Sequence, residues 1–167
     1  MSIKAKDGER ALARRHLSLD IEDAASRDAL WCVGEFFKEI DSLFDTGYDP
    51  TKALAVGTAD LTAPHGAFVV ARLHGEPIGC GGVKLPPGEP AFLKRMWVSP
   101  SARGLGIAAL MLDRLEGIAR DAGATAITLD TNSLLKAAGR MYASRGYREV
   151  PDFNGETHAD RWYRKDW

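Results

Sequence analysis

Residues 98–112 read "VSPSARGLGIAALML". A strand-like stretch ends at Pro100, two glycines follow, and an apolar pattern with helical spacing begins at Ile107. Gly104 and Gly106 remove side chains where a ligand could lie against the backbone, and the first turn of a helix offers N–H groups that have no internal acceptor. The helix macrodipole adds roughly half a positive charge at that end, so phosphate is the natural occupant. Taken alone, Gly-x-Gly serves equally well as a tight strand-to-helix turn. The spacing excludes two common nucleotide motifs. A P-loop requires Gly-Lys-Ser/Thr, and a dinucleotide fingerprint requires a third glycine where Ala109 stands.

The pattern outward from this stretch is that of an α/β chain. Downstream, Ile107, Leu110, Met111, Leu115, Ile118 and Ala122 form a helical stripe stopped by Gly123, and "ATAITLD" (124–130) reads as a strand. Leu134, Leu135, Ala138, Met141 and Tyr142 form a second stripe ending at Gly146; "YREV" begins another strand, and "HADRWYRKDW" holds a last one. Upstream, "AFVVARL" (67–73), the turn His74-Gly75 and "PIGCGGVKL" (77–85) predict a hairpin, extended by "AFLKRMWV" (91–98) into an antiparallel meander. Leu17, Leu19 and Ile21 alternate as a short strand. A helix from about Ala25 to Phe44 follows, with its stripe at Leu30, Val33, Phe37, Ile40 and Phe44; residues 45–65 read as loop with one helical turn. The order predicts one domain over 1–167, with a mixed, mostly antiparallel central sheet flanked by helices.

The 22 basic and 23 acidic residues nearly cancel, so no broad field draws the chain to nucleic acid or to an anionic membrane, and any anion site must be local. The N-terminal "MSIKAKDGERALARR" is charged, and no stretch approaches the roughly 18 apolar residues of a membrane span, which predicts a cytoplasmic protein. Cys32 and Cys80 lack paired-motif spacing and read as buried free thiols. The histidines at 16, 65, 74 and 158 lack metal-ligand spacing, so no metal is expected.

Three segments in order resemble the GNAT superfamily of acyl-CoA-dependent N-acyltransferases. Its signature, Arg/Gln-x-x-Gly-x-Gly/Ala after a strand ending Val-x-Pro, is matched by Arg103-Gly104-Leu105-Gly106-Ile107-Ala108 after Val98-Ser99-Pro100. "LDTN" and "RMYASRGYRE" follow, the latter resembling the family's Tyr-x-x-x-Gly-Phe/Tyr segment. The resemblance implies acetyl-CoA as acyl donor, gripped between two splayed strands, and direct transfer to an amine. It assigns the coenzyme A pyrophosphate to the amides of Arg103 through Ala108, and the pantetheine arm and acyl carbonyl to the main chain of Met96, Trp97 and Val98. It also assigns Asn132 to the pantetheine arm, although Asn before a helical stripe is equally a favoured cap. Tyr142 corresponds to the family tyrosine that protonates the departing thiolate. A phenol, protonated at neutral pH, is suited to that role, but an aromatic on an apolar stripe also suits the core.

An ammonium has no lone pair, so the acceptor must lose a proton before it attacks. Many family members carry a glutamate six residues before the signature valine, and here Phe92 occupies that place, facing either the core or a substrate pocket. Glu39, Asp130 or a carboxylate acting through water could serve as base, while the simplest reading of each is a solvated surface charge. Phe36, Phe37, Tyr48 and residues 151–163 are candidates for the acceptor pocket, because loops on a rigid scaffold carry specificity. Lys94 and Arg95 could offset cofactor phosphate or lie on the surface. The acceptor stays open among small amines, antibiotics, amino acids and protein amino groups, and the chain could be a monomer or a homodimer. A non-catalytic acyl-CoA-binding module is the alternative that the missing glutamate motivates.

Overall fold

The structure is a computed structural model and describes residues 2–49, 51 and 56–167. Its strands are β1 (Leu17–Ile21), β2 (Gly66–Leu73), β3 (Glu76–Lys84), β4 (Ala91–Val98), β5 (Ala126–Thr131), β6 (Arg148–Val150) and β7 (Arg161–Asp166). They form one sheet in the order β1-β2-β3-β4-β5-β7-β6. Every neighbouring pair is antiparallel except β4 and β5. The helices are α1 (Ile3–Ala13), α2 (Arg27–Leu43), α3 (Ile107–Asp121) and α4 (Lys136–Ser144). The predicted meander matches closely: His74 and Gly75 both take positive φ, 51° and 80°, which suits the right-handed twist of a two-residue hairpin. The helical turn within 45–65 is Thr58–Leu61, and the rest of that loop lies partly outside the described residues.

Period-2 alternation along β2 divides the core between two helices. Ala67, Val69 and Ala71 face α3, where Met111, Leu112 and Leu115 cover them; Phe68 and Val70 face α2, where Ala29, Cys32 and Val33 cover them. Both cysteines are free and buried, as expected. The stripe of α2 departs from the expected one at its first position: Leu30 is 53% exposed and Ala29 is fully buried, while Val33 and Cys32 are buried as expected. Small residues let α2 lie close to the sheet, a packing that a search for large apolar side chains passes over. Leu134 and Leu135 precede α4 instead of opening it. The charged N-terminus forms α1, capped by Ser2 and with no buried residue, so its sequence lacks the apolar stripe that marks a packed helix.

One irregularity in β4 sets the site. Lys94 pairs with Gly82 and Trp97 with Cys80, so Arg95 and Met96 together stand opposite Gly81 alone. This is a β-bulge, and Arg95 takes φ 58° there. Side-chain parity flips across it: Leu93 packs with α3, yet Trp97, four residues on, packs with α2. Beyond the pairs Ala91–Ile127 and Phe92–Thr128, β4 and β5 part.

Leu115 is fully buried where α3 meets the sheet. Leu115→Ala should lower unfolding free energy by about 2–5 kcal/mol, read from the urea midpoint at unchanged slope.

Candidate active site

The parting of β4 and β5 leaves the main chain of β4 from Leu93 onward without a strand partner on that side. A cleft of about 590 Å³ opens there, bounded by Met96, Trp97 and Val98 of β4, by the signature loop, and by Met141 and Tyr142 of α4. After the turn Pro100–Ala102, Gly104 and Gly106 adopt φ 84° and 76°, the left-handed conformation that favours glycine. Gly106 caps α3 without a side-chain hydrogen bond, so no capping side chain satisfies the amides of the first turn. A Cβ on Gly104 would meet no atom within 4 Å, which leaves open space against the loop. Bare amides, a helix start and adjoining room fit a pyrophosphate. Arg14, following α1, adds positive charge: its Nη1 lies 3.2 Å from where a Cβ on Gly106 would sit. The Arg14-Arg15 pair was the sequence signal for it. Leu105 turns away and packs against the cluster of Ala102 and Ile107, consistent with a part played by backbone alone.

Arg103, the first signature residue, is clamped. Its Nε donates to the Val98 carbonyl at 3.0 Å, and its Nη2 donates to both Glu39 carboxylate oxygens at 2.6 and 2.7 Å. Glu39 also accepts from Trp97 Nε1 at 3.0 Å. This carboxylate, read from the sequence as a solvated charge or a base, instead joins α2 to the loop. The side-chain flip at the bulge is what turns Trp97 toward it.

A second, smaller pocket of about 140 Å³ lies beside the cleft and shares Met96 and Tyr142 with it. Aromatic rings form one wall: Phe37 stacks on Tyr48 at 5.4 Å, and His158 lies 4.5 Å from Tyr48 and 5.6 Å from Phe44. Phe36 lines it as well, so Phe36, Phe37, Tyr48 and part of segment 151–163 meet there as expected. Burial and the nearby Glu156 charge push the Tyr48 phenol up. Arg95 projects into this pocket, with Nη2 donating to the Val56 carbonyl at 2.5 Å and its guanidinium 5.9 Å from the Phe37 ring; burial pulls its pKa down.

Asp130 is also no surface charge. Its side chain is 7% exposed, and it accepts from Lys94 Nζ at 3.1 Å and from Asn154 Nδ2 at 2.8 Å. Lys94 lies 3.8 Å from Glu156, a buried acid that the sequence reading did not single out within 151–163. Lys94 and Arg95 therefore face the small pocket and not the signature cleft, which corrects their reading as counter-charges to phosphate. Phe92, on the Lys94 face of β4, lies in neither the core nor the pocket: it is half-buried, edge-on to Phe153 at 6.1 Å, with the Lys94 ammonium 5.3 Å from its ring.

Tyr142 is 4% exposed and borders both cavities. Its ring packs against Tyr147 and Tyr163, and its hydroxyl makes no hydrogen bond among the described residues. Burial pushes this phenol well up, and the charges of Asp130 and Tyr163 add to the shift, so it stays protonated. Asn132 lines the small pocket, accepts from the Leu134 amide at 3.0 Å and donates to the His158 carbonyl at 3.0 Å. It is thus a turn-forming residue ahead of α4, whose N-cap is Leu135. One N–H of its amide remains without a protein partner. Among the described residues no three metal-ligating side chains cluster, and no helix is long and apolar enough to cross a membrane.

A mixed sheet whose parallel pair splays beside a glycine-capped helix start defines an acyl-group transferase of the GNAT fold. It superposes on an acetyltransferase of the GNAT family from Staphylococcus aureus Mu50 with TM-score 0.72, at 20% identity, covering 89% of this chain and 99% of that one. A GNAT family acetyltransferase from Elizabethkingia anophelis with acetyl-CoA bound gives 0.61, at 13% identity over 92% and 99%. The sequence profile of the acetyltransferase (GNAT) family matches residues 34–147. The chain belongs to that family, as the signature implied, and is an acetyl-CoA-dependent acetyltransferase. It is 30% identical to the IAA acetyltransferase of Azospirillum brasilense over 72% of this chain and 80% of the relative. It spans about half the length of the other curated relatives that it matches.

Glu39→Ala would strip Trp97 Nε1 and Arg103 of their acceptor. It should cost about 1–2 kcal/mol in urea unfolding, the low end applying because Arg103 is partly solvated. Combined with Arg103→Ala, the loss should fall short of the sum of the two single losses.

Proposed function

We propose that the protein transfers the acetyl group of acetyl-CoA directly to a primary amine, with Tyr142 as the proton donor. One observation carries this reading: a buried, protonated phenol without a hydrogen-bond partner among the described residues stands where the cleft beside the glycine-capped helix start and an aromatic-walled pocket meet. In this scheme the amides of Arg103 through Ala108, with Gly104 and Gly106 clearing the approach, hold the pyrophosphate. The free main-chain edge of Met96, Trp97 and Val98 pairs with the pantetheine arm as an added strand would. The spare N–H of Asn132 donates to the same arm. The acceptor amine arrives from the aromatic pocket.

The amine loses a proton, its nitrogen bonds to the acyl carbon, the C–S bond breaks, and the Tyr142 hydroxyl gives its proton to the departing thiolate. Tyr142 recovers a proton from solvent through the cleft. The amine proton goes to Asp130, directly or through water, because Asp130 lines the pocket from which the amine arrives and Glu39 does not. Neither cysteine serves as a covalent relay: both are buried in the α2 face of the sheet, and burial together with the Cys32 contact pushes the Cys80 thiol well up.

Tyr142→Phe should lower kcat by about a hundredfold or more, as loss of a general acid does, while acetyl-CoA affinity by calorimetry shifts little. Wild-type turnover in that variant would refute the assignment. Gly106→Leu places a side chain at φ 76° beside the cradle and Arg14, and should weaken acetyl-CoA binding by about tenfold or more. A melting curve checks that the variant still folds, and unchanged affinity in a folded variant would remove the anion site from this loop.

A further inference from the structure

The cations set into the sheet are paired with acids, with one exception. Arg72 meets Glu22 at 2.6 Å and Asp28 at 2.8 Å, Lys94 meets Asp130 at 3.1 Å, and Lys165 meets Glu116 at 3.1 Å. Arg95 has no carboxylate within 4 Å among the described residues. Asp60, an acid whose charge it feels, instead pairs with Lys84 at 3.8 Å and accepts from the Gly57 amide. A guanidinium carries five N–H donors and stays charged, and the single bond to the Val56 carbonyl uses one of them. Partial burial of an ion with so few partners is costly unless something completes it. The residue also sits at a positive φ that only a few per cent of non-glycine residues adopt, at the bulge that directs its side chain into the small pocket.

Lys94, Asp130, Asn132, Glu156 and His158 also line that pocket, and most of its remaining wall is apolar. Phe37, Phe44 and Tyr48 wall it, and its volume of about 140 Å³ approaches the roughly 150 Å³ of an engineered protein cavity that takes benzene. One ring or branched aliphatic group fits.

We propose that the acceptor is a free α-amino acid with an aromatic or large aliphatic side chain. Its carboxylate pairs with Arg95, and its side chain packs in the pocket against the wall of Phe37, Phe44 and Tyr48. This names the substrate class of the acetyl-transfer site proposed above and rests on that reading. The α-carbon carries amine and carboxylate together, so anchoring the carboxylate at Arg95 holds the amine one carbon away. Arg95 and Met96 are adjacent on β4, and Met96 borders the cleft where the thioester would lie. A peptide N-terminus has no carboxylate on that carbon, and a protein lysine side chain carries none. A carboxylate is also the anion that matches a guanidinium fork with two parallel hydrogen bonds.

The test compares L-phenylalanine, L-phenylalaninamide, phenethylamine and L-alanine with wild-type enzyme. Coenzyme A release gives kcat/KM, and calorimetry in the presence of coenzyme A gives affinity. L-Phenylalanine should exceed the amide and phenethylamine by about ten- to a hundredfold in both measures, the range of a charge-assisted hydrogen-bonded pair, and should also exceed L-alanine. In Arg95→Gln the advantage over the amide should collapse toward parity, and Arg95→Lys should keep part of it. Equal use of phenylalanine and its amide by the wild type overturns the proposal, and that comparison needs no variant. A preserved preference in folded Arg95→Gln also overturns it. Selective binding of phenylalanine without coenzyme A release supports the pocket assignment and instead sinks the acetyl-transfer reading.

Discussion

The site depends on one extra residue in β4. Two residues of that strand face a single residue of β3, and the resulting bulge bends the strand away from β5, its only parallel neighbour. Three features follow from that bend. The main chain of 93–98 is left open along one edge, Trp97 turns from the α3 face to the α2 face, and Arg95 is held at positive φ with its side chain in the small pocket. A regular strand with the same residues would keep Trp97 on the Leu93 side and leave Glu39 without its indole partner. Gly81 accommodates the doubling: a Cβ there would lie 2.5 Å from Met96 Sδ and 2.8 Å from Leu115 Cδ1. The glycine on β3 and the bulge on β4 are therefore two halves of one device.

The anion cradle is local because the chain as a whole is nearly neutral, with 22 basic and 23 acidic residues. Long-range steering is weak in such a molecule, and the attraction comes from oriented amides at short range. Those amides work only if the loop holds its shape. The Glu39–Arg103–Trp97 cluster supplies that restraint by tying the loop to α2 and to the bulged strand. Because α2 also carries Phe36 and Phe37, the same helix borders the acceptor pocket and braces the donor loop. The two cavities that border Tyr142 are thus braced by one mechanically continuous set of elements.

Elements with strong local signals were legible in the sequence. The hairpin and meander have period-2 alternation and a two-residue turn, the signature loop has its glycines, and α3 has large apolar residues at helical spacing; all three lie close to where they were expected. α2 was placed with Val33 buried, Phe37 packed beside it and Cys32 a buried thiol, as expected, while Leu30 proved exposed and Ala29 took the buried place, because alanine carries little hydrophobic signal beside Leu30 and Trp31. The bulge was illegible, since nothing in "AFLKRMWV" announces an extra residue, and every side-chain direction after Arg95 depends on it. For that reason Arg95 read as a surface or phosphate-facing charge, whereas Lys94, Glu39 and Asp130, which the bulge does not redirect, were misread because their partners lie far along the chain. Pairing between groups 36 to 64 residues apart, as in Lys94–Asp130 and Arg103–Glu39, belongs to the fold and to no local pattern.

Phe92 shows how the acid of this site has moved. The family resemblance implies a glutamate there, on the Lys94 face of β4, and a phenylalanine at that place instead packs against Phe153. The carboxylates nearest to its former task come from the opposite side of the gap: Asp130 at the end of β5, and Glu156 in the loop before β7. Lys94 links both acids to β4, so the strand that lost its own carboxylate still holds two from its neighbours in register. Both acids line the same pocket as Tyr142, and the Asp130 charge helps to keep that phenol protonated. In the transfer proposed above, proton acceptor and proton donor are coupled through space: an Asp130 that takes up the amine proton becomes neutral, which weakens its hold on the tyrosine proton as the thiolate leaves.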